Sequence, residues 1–366
     1  MKFFEKYVSN TVAGSANQLF FSTPNVTTGR IFYKIYKTGA FNYSLLFSNI
    51  IDSTFSNGAK CHKNVICDEW QLHGAKIGRC RSFPGKPLKE VSMDEVTVTD
   101  LTPLTFNGSE SKTVAPAELF NSDPIPLYFE KGDYLCLEMT FSGDMVPYHE
   151  ESIIPIYVKN EDGWCYSKKC PVASMIGCDR DVTARVGYIG DSITQGIGAP
   201  YNSYLHWNAR LSDMLPDSYA YWNLGIGYGR ANDFASDGAW LYKAQHNDII
   251  FVCYGVNDIN QGFSEEQIRL DITHIVKRLK GLGKTVILQT IPPFNYKGER
   301  IDKWMRLNEY IKTELSGEAD FVFDCVPVLS KSKEEPYNSK YGGHPDAEGG
   351  RVWAEALYEC IKDIIK

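Results

Sequence analysis

The chain has no long basic run, no apolar stretch long enough to span a bilayer, no internal repeat and no low-complexity tract. Each absence removes a class of function. With 38 Lys and Arg against 45 Asp and Glu, the formal net charge is −7, which leaves no electrostatic footprint for nucleic acid or an anionic membrane surface. The N-terminus, MKFFEKYVSN, carries Glu5 and Lys6 where a signal peptide needs an apolar run. A cytoplasmic protein without integral membrane association is therefore expected. Ten cysteines are present, but no Cys-x-x-Cys pair and no His-x-x-x-His companion. Cys61 and Cys67, and Cys165 and Cys170, are too loosely spaced for a structural zinc site, so the cysteines read as reduced thiols. The sequons at Asn25, Asn42 and Asn107 carry no meaning without export. No metal and no cofactor are expected.

What the chain does have is length and aromatic content. Its 366 residues, with 22 Tyr and 19 Phe, suffice for two domains that each bury a core. The hydrophobic period changes near residue 180. Before it, short alternating runs dominate: YLCLEMTF places Leu135, Leu137, Met139 and Phe141 on one face and Cys136, Glu138 and Thr140 on the other, a half-buried antiparallel strand. RIFYKIYK at 30–37 and DEVTVTDL at 94–101 read the same way, with Pro84-Gly85, Asn107-Gly108, Asp123-Pro124 and Lys131-Gly132-Asp133 as punctuation. Residues 1–175 are thus expected to form an all-β sandwich of jelly-roll type, with 161–174 as the connection to a second domain.

Residues 176–366 repeat strand, loop and helix. Strands are expected at 184–190, 221–225, 248–256, 285–290 and 320–324, and near-continuous apolar runs such as Ile249 to Tyr254 suit parallel strands covered on both faces. A helix opens at Ser264 with Gln267 as a capping box, carries Ile268, Ile272, Ile275, Val276 and Leu279 on one face, and closes at Gly281 or Gly283. Helices at 301–316 and about 349–365 complete a three-layer α/β/α unit with a parallel sheet, of flavodoxin-like type.

Ligands of such sheets bind beyond the carboxyl ends of the strands. The first strand ends at Ser192, the second at GIGYG (225–229), the third at Asn257 and the fifth near His344. A hydroxyl, glycine-rich amides, a carboxamide and an imidazole are the parts that acyl transfer requires. Serine needs a base to take its proton, and histidine titrates close enough to neutrality to serve. The amide of Ser192, an amide of the 227–229 loop and the Asn257 side chain could meet the oxyanion. The remaining histidines, 62, 73, 149, 206, 246 and 274, lack such context and read as surface or packing residues. Tyr201, Tyr204 and Tyr228 could line a pocket, while Trp207 suits core as well.

Gly190-Asp191-Ser192, Asn223-Leu224-Gly225, Gly255-Val256-Asn257-Asp258 and His344-Pro345, in this order, resemble the four sequence blocks of the SGNH (GDSL-type) esterases and lipases. RSFPGKPL at 81–88 and the segment 104–139 resemble the β-sandwich of a two-domain branch of that family. The resemblance implies Ser192 as nucleophile and first oxyanion amide, Asn257 as side-chain oxyanion donor, His344 as general base, and Asp191 and Asp258 as structural support. It does not extend to the Gly-x-Ser-x-Gly elbow of α/β-hydrolases, because no glycine follows Ser192 at the required place. Two departures stand out. Tyr228 takes the place of the second-block glycine, leaving either Tyr228 or Gly229 as the loop donor. Tyr341 takes the place of the acid three residues before the histidine, and neutralising such an acid costs a serine protease about 10⁴-fold. A Ser192–His344 dyad, oriented by a backbone carbonyl or by an acid such as Asp346, is the expectation.

The expected function is metal-independent hydrolysis of short acyl esters, acetyl above all, on a small molecule or oligosaccharide. The alternatives are a lipase or lysophospholipase, a non-catalytic glycan-binding protein with a degenerate triad and, more remotely, a zinc-dependent deacetylase. The sequence leaves the oligomeric state open.

Overall fold

The computed structural model describes residues 2–54 and 62–365. Cys61, read with Cys67 as a reduced thiol, lies outside them. The chain divides into two compact units, Met1–Asp181 and Val182–Lys366. Among the described residues no helix is long and apolar enough to cross a membrane.

The first unit is built on antiparallel strands. One sheet runs in the order Val8–Ser9, Met175–Cys178, Gly39–Ser48, Ile125–Phe129, with Leu119–Asn121 also on Gly39–Ser48. The larger runs Gly163–Tyr166, Ile156–Asn160, Leu19–Lys34, Tyr134–Tyr148, Trp70–Cys80, Thr99–Leu104. Alternation sets which face is buried: Leu135, Leu137, Met139 and Phe141 are fully covered, while Glu138 on the other face pairs with Arg30 at 2.7 Å. Cys136 shares that second face yet is buried, because Val91, Met93 and Val96 close over it together with Phe32 and Tyr157. Two expectations change here. Residues 93–95 form a 3₁₀ turn capped by Ser92 and the strand starts only at Thr99. The segment 161–174 holds an edge strand, Gly163–Tyr166, and Met175–Cys178 pairs with Gly39–Ser48, so the first unit continues past 175 to Asp181.

The second unit centres on five parallel strands in the order Tyr219–Asn223, Ala184–Gly190, Ile249–Cys253, Thr285–Gln289, Phe321–Phe323. Ile249–Cys253 is buried at every position, as a strand covered on both faces must be. The order reverses at Ala184–Gly190, and right-handed crossovers in opposite directions place helices on both sides. Trp207–Met214 packs with Ala347–Ile361 through stacked Trp207 and Trp353, 5.2 Å between ring centres, so Trp207 is core. Glu265–Gly281 packs with Ala231–Phe234 and Glu299–Thr313. Its buried face carries the five aliphatic residues expected, plus Asp271. Only half of the expected capping box forms: Ser264 Oγ accepts the Gln267 N–H, but the Gln267 side chain turns forward to Asp271. Gly283, at φ +72, ends the helix.

A sheet of this order has its switch point between the first and third strands, where their carboxyl ends diverge. Ser192 follows the first and Asn257 the third.

Candidate active site

Ser192 opens a one-turn helix, Ser192–Gln195, whose N-cap is Asp191: its carboxylate accepts the Ile193 N–H at 2.9 Å. The turn is tight. A Cβ on Gly190 would lie 2.1 Å from Thr194 Oγ1 and 2.7 Å from the Cys253 carbonyl, so only glycine lets the strand deliver Ser192 here. The same turn holds the neighbouring loop. Gln195 Oε1 accepts the Gly227 N–H at 2.6 Å, and Asn223 bonds the Thr194 carbonyl through Nδ2 and the Gly225 N–H through Oδ1.

In that loop the Gly229 N–H is committed to the Ile226 carbonyl at 3.0 Å, and Tyr228 holds φ +59. Asn257 Nδ2 donates to the Gly229 carbonyl at 3.0 Å, which ties the third block to the second. Asp258, fully buried beside it, accepts the Ala231 and Asn232 N–H groups at 2.9 and 3.2 Å. Burial pushes its carboxyl up to about 7 against the pull of those two donors.

His344 Nε2 lies 2.8 Å from Ser192 Oγ. A serine hydroxyl at this distance donates to a neutral imidazole whose proton sits on Nδ1. Burial holds the His344 pKa below the ordinary histidine value, so the ring is neutral, and able to accept, at neutral pH. Among the described residues Ser192 is the hydrogen-bond partner of this ring. Asp346 does not fill the acid's place: its carboxylate caps helix Ala347–Ile361, accepting the Glu348 and Gly349 N–H groups. Tyr341 packs against that helix: a Cβ on Gly349 would lie 2.7 Å from Tyr341 Cβ. A ring contact flanks the imidazole instead, with Phe294 5.4 Å away at 79°.

Residues 188–352 match the model of the GDSL-like lipase/acylhydrolase family. The match covers a little under half of the chain and lies within the second unit. Solved structures also match, each covering about half of this chain. A member of the lipolytic G-D-S-L family from Veillonella parvula is 18% identical, covers 49% of this chain and 98% of its own, with a TM-score of 0.39. A psychrotrophic esterase from a Pseudoalteromonas species is 15% identical (50% and 98% covered, TM-score 0.38), and a GDSL-like lipase from Bacteroides thetaiotaomicron 16% (50% and 89%, TM-score 0.39). No curated protein matches the chain.

In this GDSL-like domain the structure brings Ser192 to His344 and Asn257 to the Tyr228–Gly229 loop. It separates Asp346 from the imidazole. Gln195, Phe294 and Asn295 were not expected. Gln195 is the last residue of the serine's own turn, and Phe294 and Asn295 come after the fourth strand, the one strand end whose residues carry no nucleophile, base or amide-rich motif. Pro292-Pro293 beyond Thr285–Gln289 was the signal that the chain is stiffened there. Among the described residues no group of three or more His, Cys, Asp or Glu side chains is placed to hold a metal ion.

Proposed function

We propose that the protein is a serine esterase acting on short acyl esters. The observation that supports it is the 2.8 Å contact of Ser192 Oγ with His344 Nε2 at the carboxyl end of the sheet. Ser192 Oγ attacks the ester carbonyl as Nε2 takes its proton. The negative charge on the former carbonyl oxygen meets the Ser192 N–H, the Tyr228 N–H and Asn257 Nδ2. Tyr228 is assigned because it stands at the place of the loop donor in the second sequence block, where its φ of +59 is the conformation glycine would take. Nε2–H then protonates the leaving alkoxide, giving an acyl-serine and an alcohol. Water attacks that ester with Nε2 again as base, and the serine and the acid are released. Asp191 and Asp258 hold the loops through backbone N–H groups and stay out of the proton path.

Acetyl esters of carbohydrates are the narrower substrate we propose, supported by the antiparallel β unit that precedes the hydrolase domain in the chain; fold alone does not assign a substrate. A series of 4-nitrophenyl esters tests it: turnover falling from acetyl to longer chains is expected, and turnover rising with length would favour a lipase or lysophospholipase. One observation favours a different reading, a glycan-binding protein without turnover: Tyr341 stands where the acid of the triad would be. Ester hydrolysis that disappears in Ser192→Ala, by on the order of 10⁴-fold, counts against that reading, and equal inactivity of both proteins would support it.

A further inference from the structure

We propose that Phe294 is the positioning residue of His344, holding by packing the imidazole that an acid holds elsewhere; this rests on the esterase reading above. Histidine's terminal torsion is broad and two-fold, and half a turn about it replaces Nε2 with a carbon atom opposite Ser192. The Ser192 hydrogen bond opposes that half turn, and the smaller tilts about the same torsion, which also draw Nε2 away from Ser192, are left to packing where nothing among the described residues bonds Nδ1. The Phe294 ring stands edge-to-face with the imidazole, 5.4 Å between centres and 79° between planes, a preferred geometry for aromatic pairs.

Both partners of this contact are fixed. Phe294 sits on a segment clamped to helix Glu299–Thr313: the Ile291 carbonyl accepts Trp304 Nε1 and Asn308 Nδ2, and the Ile291 N–H donates to Asn308 Oδ1. Tyr296, fully buried against Trp304, backs it. The next residue, Asn295, reaches the histidine's own loop, where its N–H donates to the Tyr337 carbonyl and its Oδ1 accepts the Ser339 N–H, each at 3.0 Å. Phe294 also touches that loop directly, since a Cβ on Gly343 would come within 3.0 Å of its ring. From the other side, a Cβ on Gly198 would lie 2.7 Å from the His344 carbonyl. These contacts hold the histidine's loop and the plane of its ring.

Phe294 also keeps water from the ring, and burial is the cause of the lowered His344 pKa. The charged groups nearby do not face it: Lys340 lies over Tyr341, and Asp346 is turned to the helix amides.

The test is Phe294→Ala, Phe294→Leu and Phe294→Tyr, assayed for kcat, KM and pH profile, with His344 titrated by NMR, a readout that needs no turnover. Phe294→Ala is expected to lose on the order of 10- to 100-fold in kcat with little change in KM, and its His344 pKa to rise, moving the acid limb to higher pH. Phe294→Leu should keep the low pKa and still lose kcat, and Phe294→Tyr should restore both. An unmoved His344 pKa in Phe294→Ala, or a raised KM at unchanged kcat, would overturn the assignment. Failure of the esterase reading shows separately, as a Ser192→Ala protein no slower than the native one.

Discussion

Tyr228 occupies a backbone conformation that glycine takes without steric cost. For an L-residue the left-handed region costs roughly 1–2 kcal/mol, and here it turns the amide assigned to the oxyanion. Because the donor is backbone, Tyr228→Gly should keep kcat within a few-fold and leave stability equal or higher by up to ~1 kcal/mol, read from denaturant midpoints. A loss of about 100-fold would mean that the tyrosine side chain, not its amide, acts in the reaction. Asn257→Ala, in contrast, removes a side-chain donor and should lower kcat by about 10²–10³ at little cost in KM. Asp258 carries a different signature. Its carboxyl is held at about 7 by burial, above its unfolded value of 3.8, so its proton favours the folded state. That contribution is complete below the unfolded value and is lost as pH rises through about 7. Asp258→Asn should flatten this fall between about pH 4 and 7 and, by setting an NH₂ against one of two backbone donors, cost about 1–3 kcal/mol. Urea melts at both pH values check both effects.

At the level of elements, periodicity made most of the second unit legible. The strand after Asp248 and the helix after Ser264 are visible because burial on two faces and on one stripe write different patterns into sequence. Contacts between segments write no such pattern. Gln267 bonding forward to Asp271, Met175–Cys178 returning to Gly39–Ser48, and Phe294 meeting His344 are all tertiary choices. Asp346 shows the same limit: two residues from the histidine it looks like an orienting acid, yet its φ of −69 and ψ of −174 set it as a helix cap. Asp346→Ala should therefore cost about 1 kcal/mol of stability and leave kcat within a few-fold and the acid limb of the pH profile unmoved. A drop approaching roughly 10³-fold with a shifted limb would restore Asp346 as the acid.

For the whole molecule, the sequence carried the division into a β-rich and an α/β unit, because the hydrophobic period itself changes between them. The point of division was harder, since the edge strand Gly163–Tyr166 is short and partly polar and resembles a linker. The meeting of Ser192 and His344 was legible for a related reason: in a parallel sheet, residues far apart in sequence converge at the strand ends, so two residues 152 positions apart can be nominated from topology. What orients the histidine could not be, because packing replaced a charged group.

Hydrolysis of 4-nitrophenyl acetate by the native protein and by Ser192→Ala, from about pH 4 to 9, is the most direct measurement. We expect the native rate to rise through an apparent pKa below the ordinary histidine value, tracking deprotonation of the buried His344, and the variant to lose on the order of 10⁴-fold. A variant as fast as the native protein, or a native rate independent of pH across that range, would show that Ser192 and His344 do not carry the chemistry.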